Sequence, residues 1–265
     1  MSEPAADGIA GRVVVVTGGA QGLGRAIVEA LIPLRATVVV LDRNVEGAKE
    51  AAAAAGGRSR GIGCDVADTA SVEAAASAVR AEYGGCDALV NNAGILPKRS
   101  LEEETAETWD QTMAVNLRGP FLCTQKFGAL MCAQGHGAIV NIASIGGTVP
   151  TVGAGAYCAS KAGILALTRQ TALEWGDRGV RANAVSPGYM HTPMTGDRYA
   201  VPGLKEQRAK MVPLGRIADP SEVASAVVFL LSAAAGYISG HEIVVDGGFV
   251  HSTTRRVPQP AAPTP

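Results

Sequence analysis

The chain has 265 residues, 47% hydrophobic and 18% charged, with a formal net charge of -1. That apolar content excludes disorder over most of the length, and a near-neutral chain with no basic stripe is not built chiefly to hold nucleic acid. The longest apolar stretch, 223–238, is broken by Ser225 and Ser232 and falls short of the ~20 residues a membrane span needs, so it reads as a buried helix.

Residues 1–10 contain acids and no apolar signal core, and read as a loose arm ahead of a single α/β domain over 11–250. Within it, continuous apolar runs alternate with Ala-rich segments of helical period. The runs are Val13-Val14-Val15-Val16, Val38-Val39-Val40-Leu41, Ala88-Leu89-Val90, Ile139-Val140-Asn141-Ile142, Ala182-Asn183-Ala184-Val185 and Ile243-Val244-Val245. Lacking polar alternation, they suit strands covered on both faces. The helical segments are 24–32, 46–55, 71–82, 105–133, 157–175 and 221–232, with Asp68 and Asp219 as capping residues and Pro33 stopping the first. Repeated β-α-β units predict a doubly wound, Rossmann-like parallel sheet with ligands at the carboxyl ends of its strands. The segment 188–213 has no strand pattern and is expected to be a lid near the site. The tail 251–265 ends in a Pro-rich stretch and is expected to be extended or disordered. The five cysteines (Cys64, Cys86, Cys123, Cys132, Cys158) form no CxxC pair and read as reduced thiols of a cytoplasmic protein. The four histidines have no metal-ligand spacing, so no metal is expected.

Three signals carry chemistry. Thr17-Gly18-Gly19-Ala20-Gln21-Gly22-Leu23-Gly24 joins the first strand to the first helix. Glycines there let the backbone approach a pyrophosphate, and the helix N-terminus offers free N–H groups to it. Asp42 ends the second strand, where a carboxylate accepts bonds from a ribose diol and repels a 2′-phosphate. It points to NAD rather than NADP, a preference that the adjacent Arg43 softens. Tyr157 and Lys161 are four apart on one helix face, early in that helix. The ammonium and the helix dipole both favour a phenolate, so Tyr157 suits general acid/base work on an alcohol or ketone. Ser144, at the end of the 139–142 strand, is placed to hold the carbonyl oxygen beside it. Cys158, next to Tyr157, points elsewhere on the helix and reads as a packed residue.

With Asp65-Val66, Asn91-Asn92-Ala93-Gly94, Asn116, Pro187-Gly188 and Asp246-Gly247-Gly248, these motifs resemble the short-chain dehydrogenase/reductase family over residues 11–250. The resemblance implies that Asp65 and Val66 hold the adenine, and that Asn92, Ala93 and Gly94 shape the crevice near the adenosine ribose. It further implies that Asn116 holds a water linking Lys161 to solvent, and that Lys161 binds the nicotinamide ribose. Pro187, Gly188, Met190 and Thr192 would contact the nicotinamide. Gln21, where a basic residue would suggest NADP, again favours NAD. The implied catalytic set is Asn116, Ser144, Tyr157 and Lys161, and the implied assembly is a homotetramer. Without the resemblance, Asn116 would read as a solvated helix residue.

The expected function is NAD-dependent hydride transfer between a small secondary alcohol and its ketone, with no nucleic-acid or membrane partner. The alternatives are an NADP-dependent 3-oxoacyl-type reductase and a dinucleotide-binding module without chemistry. Leu96, Thr151, Ala154 and Tyr189, beside Ser144, are the expected substrate contacts, and no fixed cationic cluster for an anionic substrate is visible in the sequence.

Overall fold

The computed structural model describes residues 8–252, with the side chains of 196–198 left aside. Seven strands form one parallel sheet in the order β3-β2-β1-β4-β5-β6-β7. The chain runs β1 (Val13–Thr17), α1 (Gly22–Leu31), β2 (Thr37–Asp42), α2 (Val45–Ala55), β3 (Arg60–Gly63), α3 (Thr69–Tyr83) and β4 (Ala88–Asn91). It continues through α4 (Ala106–Met113), α5 (Gly119–Gln134), β5 (Gly137–Ile142), α6 (Gly155–Trp175) and β6 (Val180–Pro187). Then come α7 (Pro193–Tyr199), α8 (Leu204–Met211), α9 (Pro220–Leu231) and β7 (Glu242–Val245).

The continuous valine runs are explained by the two cores. Val14, Val16, Val38 and Val40 face one side, against Ile27 and Val28 of α1, Ala51 of α2 and Val227 of α9. Val15, Val39 and Leu41 face the other, against Val72 of α3 and Phe127 and Met131 of α5. A polar residue at any of these positions would meet a helix rather than water. Within the apolar stretch, Val223, Ala224, Val227, Val228, Leu230 and Leu231 form the buried face of α9, which opens on a capping box between Asp219 and Glu222. Among the described residues, no helix is long and apolar enough to cross a membrane.

Four expectations need correction. β3, with the sequence RGIG, gives no apolar run because it is an edge strand paired only to β2. The expected 105–133 helix is interrupted by a π-helical turn over Ala114–Arg118, ahead of Pro120, which has no N–H to give the ladder. Residues 8–10 are not loose: Ile9 is buried in the α1–α9 core, and Arg12 N–H donates to its carbonyl. The 188–213 segment is not an irregular loop but carries α7 and α8. Of the expected arm and tail, 1–7 and 253–265 lie outside the described residues; His251 ends a short 3-10 turn and Ser252 is buried behind it.

Candidate active site

The carboxyl ends of β1, β2, β4, β5 and β6 open into a cleft of about 350 Å³. At one end the wall is main chain. Gly18 has φ +65°, and a Cβ there would lie 2.8 Å from Ala93 Cα. A Cβ on Gly24 would lie 2.1 Å from the Gly18 carbonyl oxygen, so only glycine lets α1 start this close to the turn. Asn92 secures the same turn, its Nδ2 donating to the Thr17 and Gly18 carbonyls at 3.0 Å each. Thr17 Oγ1 accepts from the N–H groups of Asn92 and Ala93 at 3.0 and 3.1 Å, locking β1 to the end of β4. α1 has no side-chain cap and no acid in its first turn, which leaves its N-terminal donors and positive dipole end to an anion. Asp42 accepts from Ala20 N–H at 3.1 Å and Asn44 N–H at 2.9 Å, so its carboxylate is held at the end of β2. Gln21, Gly22, Leu23, Arg43, Asp65 and Val66 also line this end. An uncapped helix start, a turn closed to any Cβ and a carboxylate on the second strand fit a dinucleotide.

In the middle of the cleft stand Ser144, Tyr157 and Lys161. Ser144 follows β5 and caps a 3-10 turn, its Oγ accepting from Gly146 N–H at 3.0 Å. Gly147 allows that turn to press on α6: a Cβ there would lie 2.9 Å from the Lys161 carbonyl carbon. The same approach brings Ser144 to Tyr157. The point where a Gly146 Cβ would sit is 3.3 Å from Ser144 Oγ and 3.6 Å from Tyr157 Cε1. Lys161 is buried, donates to the Ile142 carbonyl at 2.6 Å, and holds its Nζ 5.7 Å from the Tyr157 ring centre. Burial pushes this ammonium down to about 8.

The family model described as enoyl-(acyl carrier protein) reductase matches residues 4–250. The chain belongs to the short-chain dehydrogenase/reductase family. Among its relatives, the D-threitol dehydrogenase of Mycolicibacterium smegmatis is 46% identical over 242 residues, 90% of this chain and 93% of the relative. A solved structure of a putative short-chain alcohol dehydrogenase from Sinorhizobium meliloti superposes with a TM-score of 0.89 at 37% identity, covering 94% of this chain and 99% of that one. A gluconate 5-dehydrogenase from Burkholderia cenocepacia, solved with NADP and tartrate, gives 0.87 at 33% identity over 91% and 96%. This short-chain dehydrogenase/reductase is thus an oxidoreductase of the class that transfers hydride between a nicotinamide dinucleotide and a secondary alcohol.

Nearly every residue singled out in the sequence of this dehydrogenase/reductase lines the cleft. Ala93, Gly94, Pro187, Gly188, Met190 and Thr192 do so, as do Leu96, Thr151, Ala154 and Tyr189. Two residues lie behind its wall instead. Gly24 is buried beneath the turn, and Asn116 is fully buried in the π-turn. The Asn116 side chain is not solvated: Nδ2 donates to the Ile95 carbonyl at 2.9 Å and Oδ1 accepts from Ile95 N–H at 2.8 Å. It thereby ties the turn between α4 and α5 to the 92–95 segment after β4 and to Gly94, whose Cβ position is 3.3 Å from Asn116 Oδ1 and 3.8 Å from Lys161 Nζ. Cys158 Sγ, as expected, turns from the cleft and accepts from Thr151 N–H at 3.5 Å.

Sequence reasoning missed Thr17 as a clamp and Lys98, Tyr199 and Arg208 as lining residues. For Arg208 a signal existed. Leu204, Arg208 and Val212 recur at helical spacing, which sets an arginine on the inward stripe of α8. Among the described residues, no group of three or more His, Cys, Asp or Glu side chains is placed to hold a metal.

Proposed function

We propose that the protein is an NAD-dependent dehydrogenase of a small hydroxylated secondary alcohol, with Tyr157 as its general acid/base. The observation that carries this reading is the meeting of Ser144, Tyr157 and Lys161 in one cleft with a glycine turn that admits a dinucleotide. A nicotinamide dinucleotide held along the Gly18–Gly24 turn and Asp42 would supply the hydride acceptor or donor for the carbinol carbon. In the oxidation direction the alcohol proton passes to the Tyr157 oxygen, while the Ser144 hydroxyl donates to the substrate oxygen and orients it. Lys161, as an ammonium in a desolvated place, favours the phenolate that must accept that proton. Asn116 keeps Ile95 and Gly94 in position beside Lys161, and a water held near it would pass the proton on.

Asp42 supports NAD. Its carboxylate is fixed at the ribose end by two backbone donors, where it would repel a 2′-phosphate. The NADP-dependent alternative draws on Arg43, which lines the same end, and on the NADP held by the gluconate dehydrogenase relative. Equal concentrations of NAD and NADP in initial-rate assays decide between them, with NAD expected to be faster. The threitol dehydrogenase relative and the cleft volume support a hydroxylated substrate of modest size. Exposed Phe121 on α5 and Leu173 on α6 support the homotetramer, and five free cysteines support a cytoplasmic location.

The decisive experiment is Tyr157→Phe, followed by turnover and by NADH fluorescence. Turnover should fall about 10³-fold, within the span of general acid/base contributions, while NADH still binds. Undiminished turnover would reduce this centre to a binding site and leave the acid/base role to another group.

A further inference from the structure

The charge along the cleft is uneven. Among the described residues, its acidic lining residues are Asp42 and Asp65, both at the carboxyl ends of strands on the β2–β3 side. Among the described residues, those lining the cleft from 95–98, α7 and α8 include two cations, Lys98 and Arg208, and no acid. Arg208 is held by faces rather than by charge. Its guanidinium carbon lies 5.2 Å from the Tyr189 ring centre and 5.1 Å from that of Tyr199. Tyr189 is itself braced edge-on by Phe249 at 4.9 Å, and His191 lies tilted against Tyr199 at 5.6 Å. Among the described residues, Arg208 has no ion pair and no hydrogen bond, so its fork of N–H donors is unspent. A second group in the same place is also unspent: Tyr199 Oη is buried with no hydrogen-bond partner. A buried hydroxyl left unpaired is destabilising, so one that lines a cleft calls for a ligand acceptor.

We propose that Arg208 and Tyr199 together receive a carboxylate on the substrate, making Arg208 the group that selects hydroxy acids over neutral alcohols. This rests on the hydride-transfer reading above. A carboxylate answers both needs at once. Its single charge matches one guanidinium, which presents donors in the carboxylate's own plane and spacing, and its free lone pairs accept from the phenol. The two ring contacts immobilise the arginine before substrate arrives, so less side-chain entropy is lost on binding.

The test uses the full-length protein incubated with NADH and a series of straight-chain hydroxy acids of four to seven carbons. Each carries its hydroxyl on the carbon next to the methyl end and is paired with its neutral carboxamide. Calorimetry should show at least one acid binding about tenfold or more tighter than its amide. Arg208→Met should bring that ratio to about one, Arg208→Lys should restore part of it, and Tyr199→Phe should lower it several-fold. Equal binding of every acid and amide pair overturns the proposal, as does a preference that survives Arg208→Met. It is also overturned if Arg208→Met weakens NADH binding without any acid present, since Arg208 would then serve the cofactor. Turnover with NAD separates the two readings. Neutral alcohols oxidised with no Arg208-dependent preference overturn the carboxylate site and leave hydride transfer standing. A carboxylate preference in binding, with no oxidation of any alcohol in the series, does the reverse.

Discussion

At the β1–α1 end of the cleft the wall is backbone, while at the α7–α8 end it is side chain. Around Gly18 and Gly24 the shape comes from atoms that cannot move independently: a left-handed turn, a carbonyl where any Cβ would sit, and four hydrogen bonds made by Thr17 and Asn92. Around Tyr189, Tyr199 and Arg208 the wall is a set of ring and cation contacts between Arg208 of α8, a helix with no buried residue, and the rings of Tyr189 after β6 and Tyr199 at the end of α7. The first wall can recognise only something common to every turnover. The second can be changed one side chain at a time without disturbing the sheet. A fold that keeps its cofactor and varies its substrate needs this division.

The largest test of that division is at Lys161, where the two ends meet. Its pKa is lowered by burial from 10.5 to about 8, so below pH 8 the folded state holds a desolvated ammonium that unfolding would release to water. As pH climbs from about 8 to 10.5 that cost disappears, and stability rises because the unfolded chain binds more protons there. Without cofactor, the wild type should therefore gain about 3 kcal/mol relative to Lys161→Met over this window, read by urea unfolding at each pH. A gap that stays flat would mean that the ammonium is not paying a desolvation cost. Next comes the rigid wall. Gly24→Ala should raise the NADH dissociation constant about 100-fold, equal to about 2.7 kcal/mol, because the methyl would push the Gly18 carbonyl out of the turn. Unchanged NADH affinity in that variant would erase the contrast between the two walls. Asp42→Ala should shift the NAD-to-NADP ratio of kcat/KM about tenfold toward NADP, as steady-state kinetics with both cofactors will read. The smallest effect belongs to the adjustable wall. Leu96→Ala should change the KM for the alcohol by about fivefold, with the NADH dissociation constant within about twofold of wild type, each measured separately.

Local pattern made much of this legible. The valine runs announce strands covered on both sides, and Asp68 and Asp219 cap the helices they precede. The glycine turn, Asp42, Ser144 and the Tyr157/Lys161 pair are each readable because their chemistry depends on neighbours near in sequence. β3 escaped notice because an edge strand buries little and needs no apolar run, and Gly61 is required there by α2, a Cβ falling 2.3 Å from Lys49 N. Ile9 escaped because its burial depends on α1 and α9, far along the chain.

The alternation of covered strands with helices, the parallel sheet and the residue types at its carboxyl edge follow from the sequence alone, since strand burial and turn geometry are set within a few residues, whereas β3, α7 and α8 do not. Tertiary structure alone decided that Asn116 spends its amide on Ile95, that Gly147 lets Ser144 reach Tyr157, and that Arg208 stands between Tyr189 and Tyr199. Each of these depends on contact between segments distant in sequence, and no local periodicity carries the distance between them.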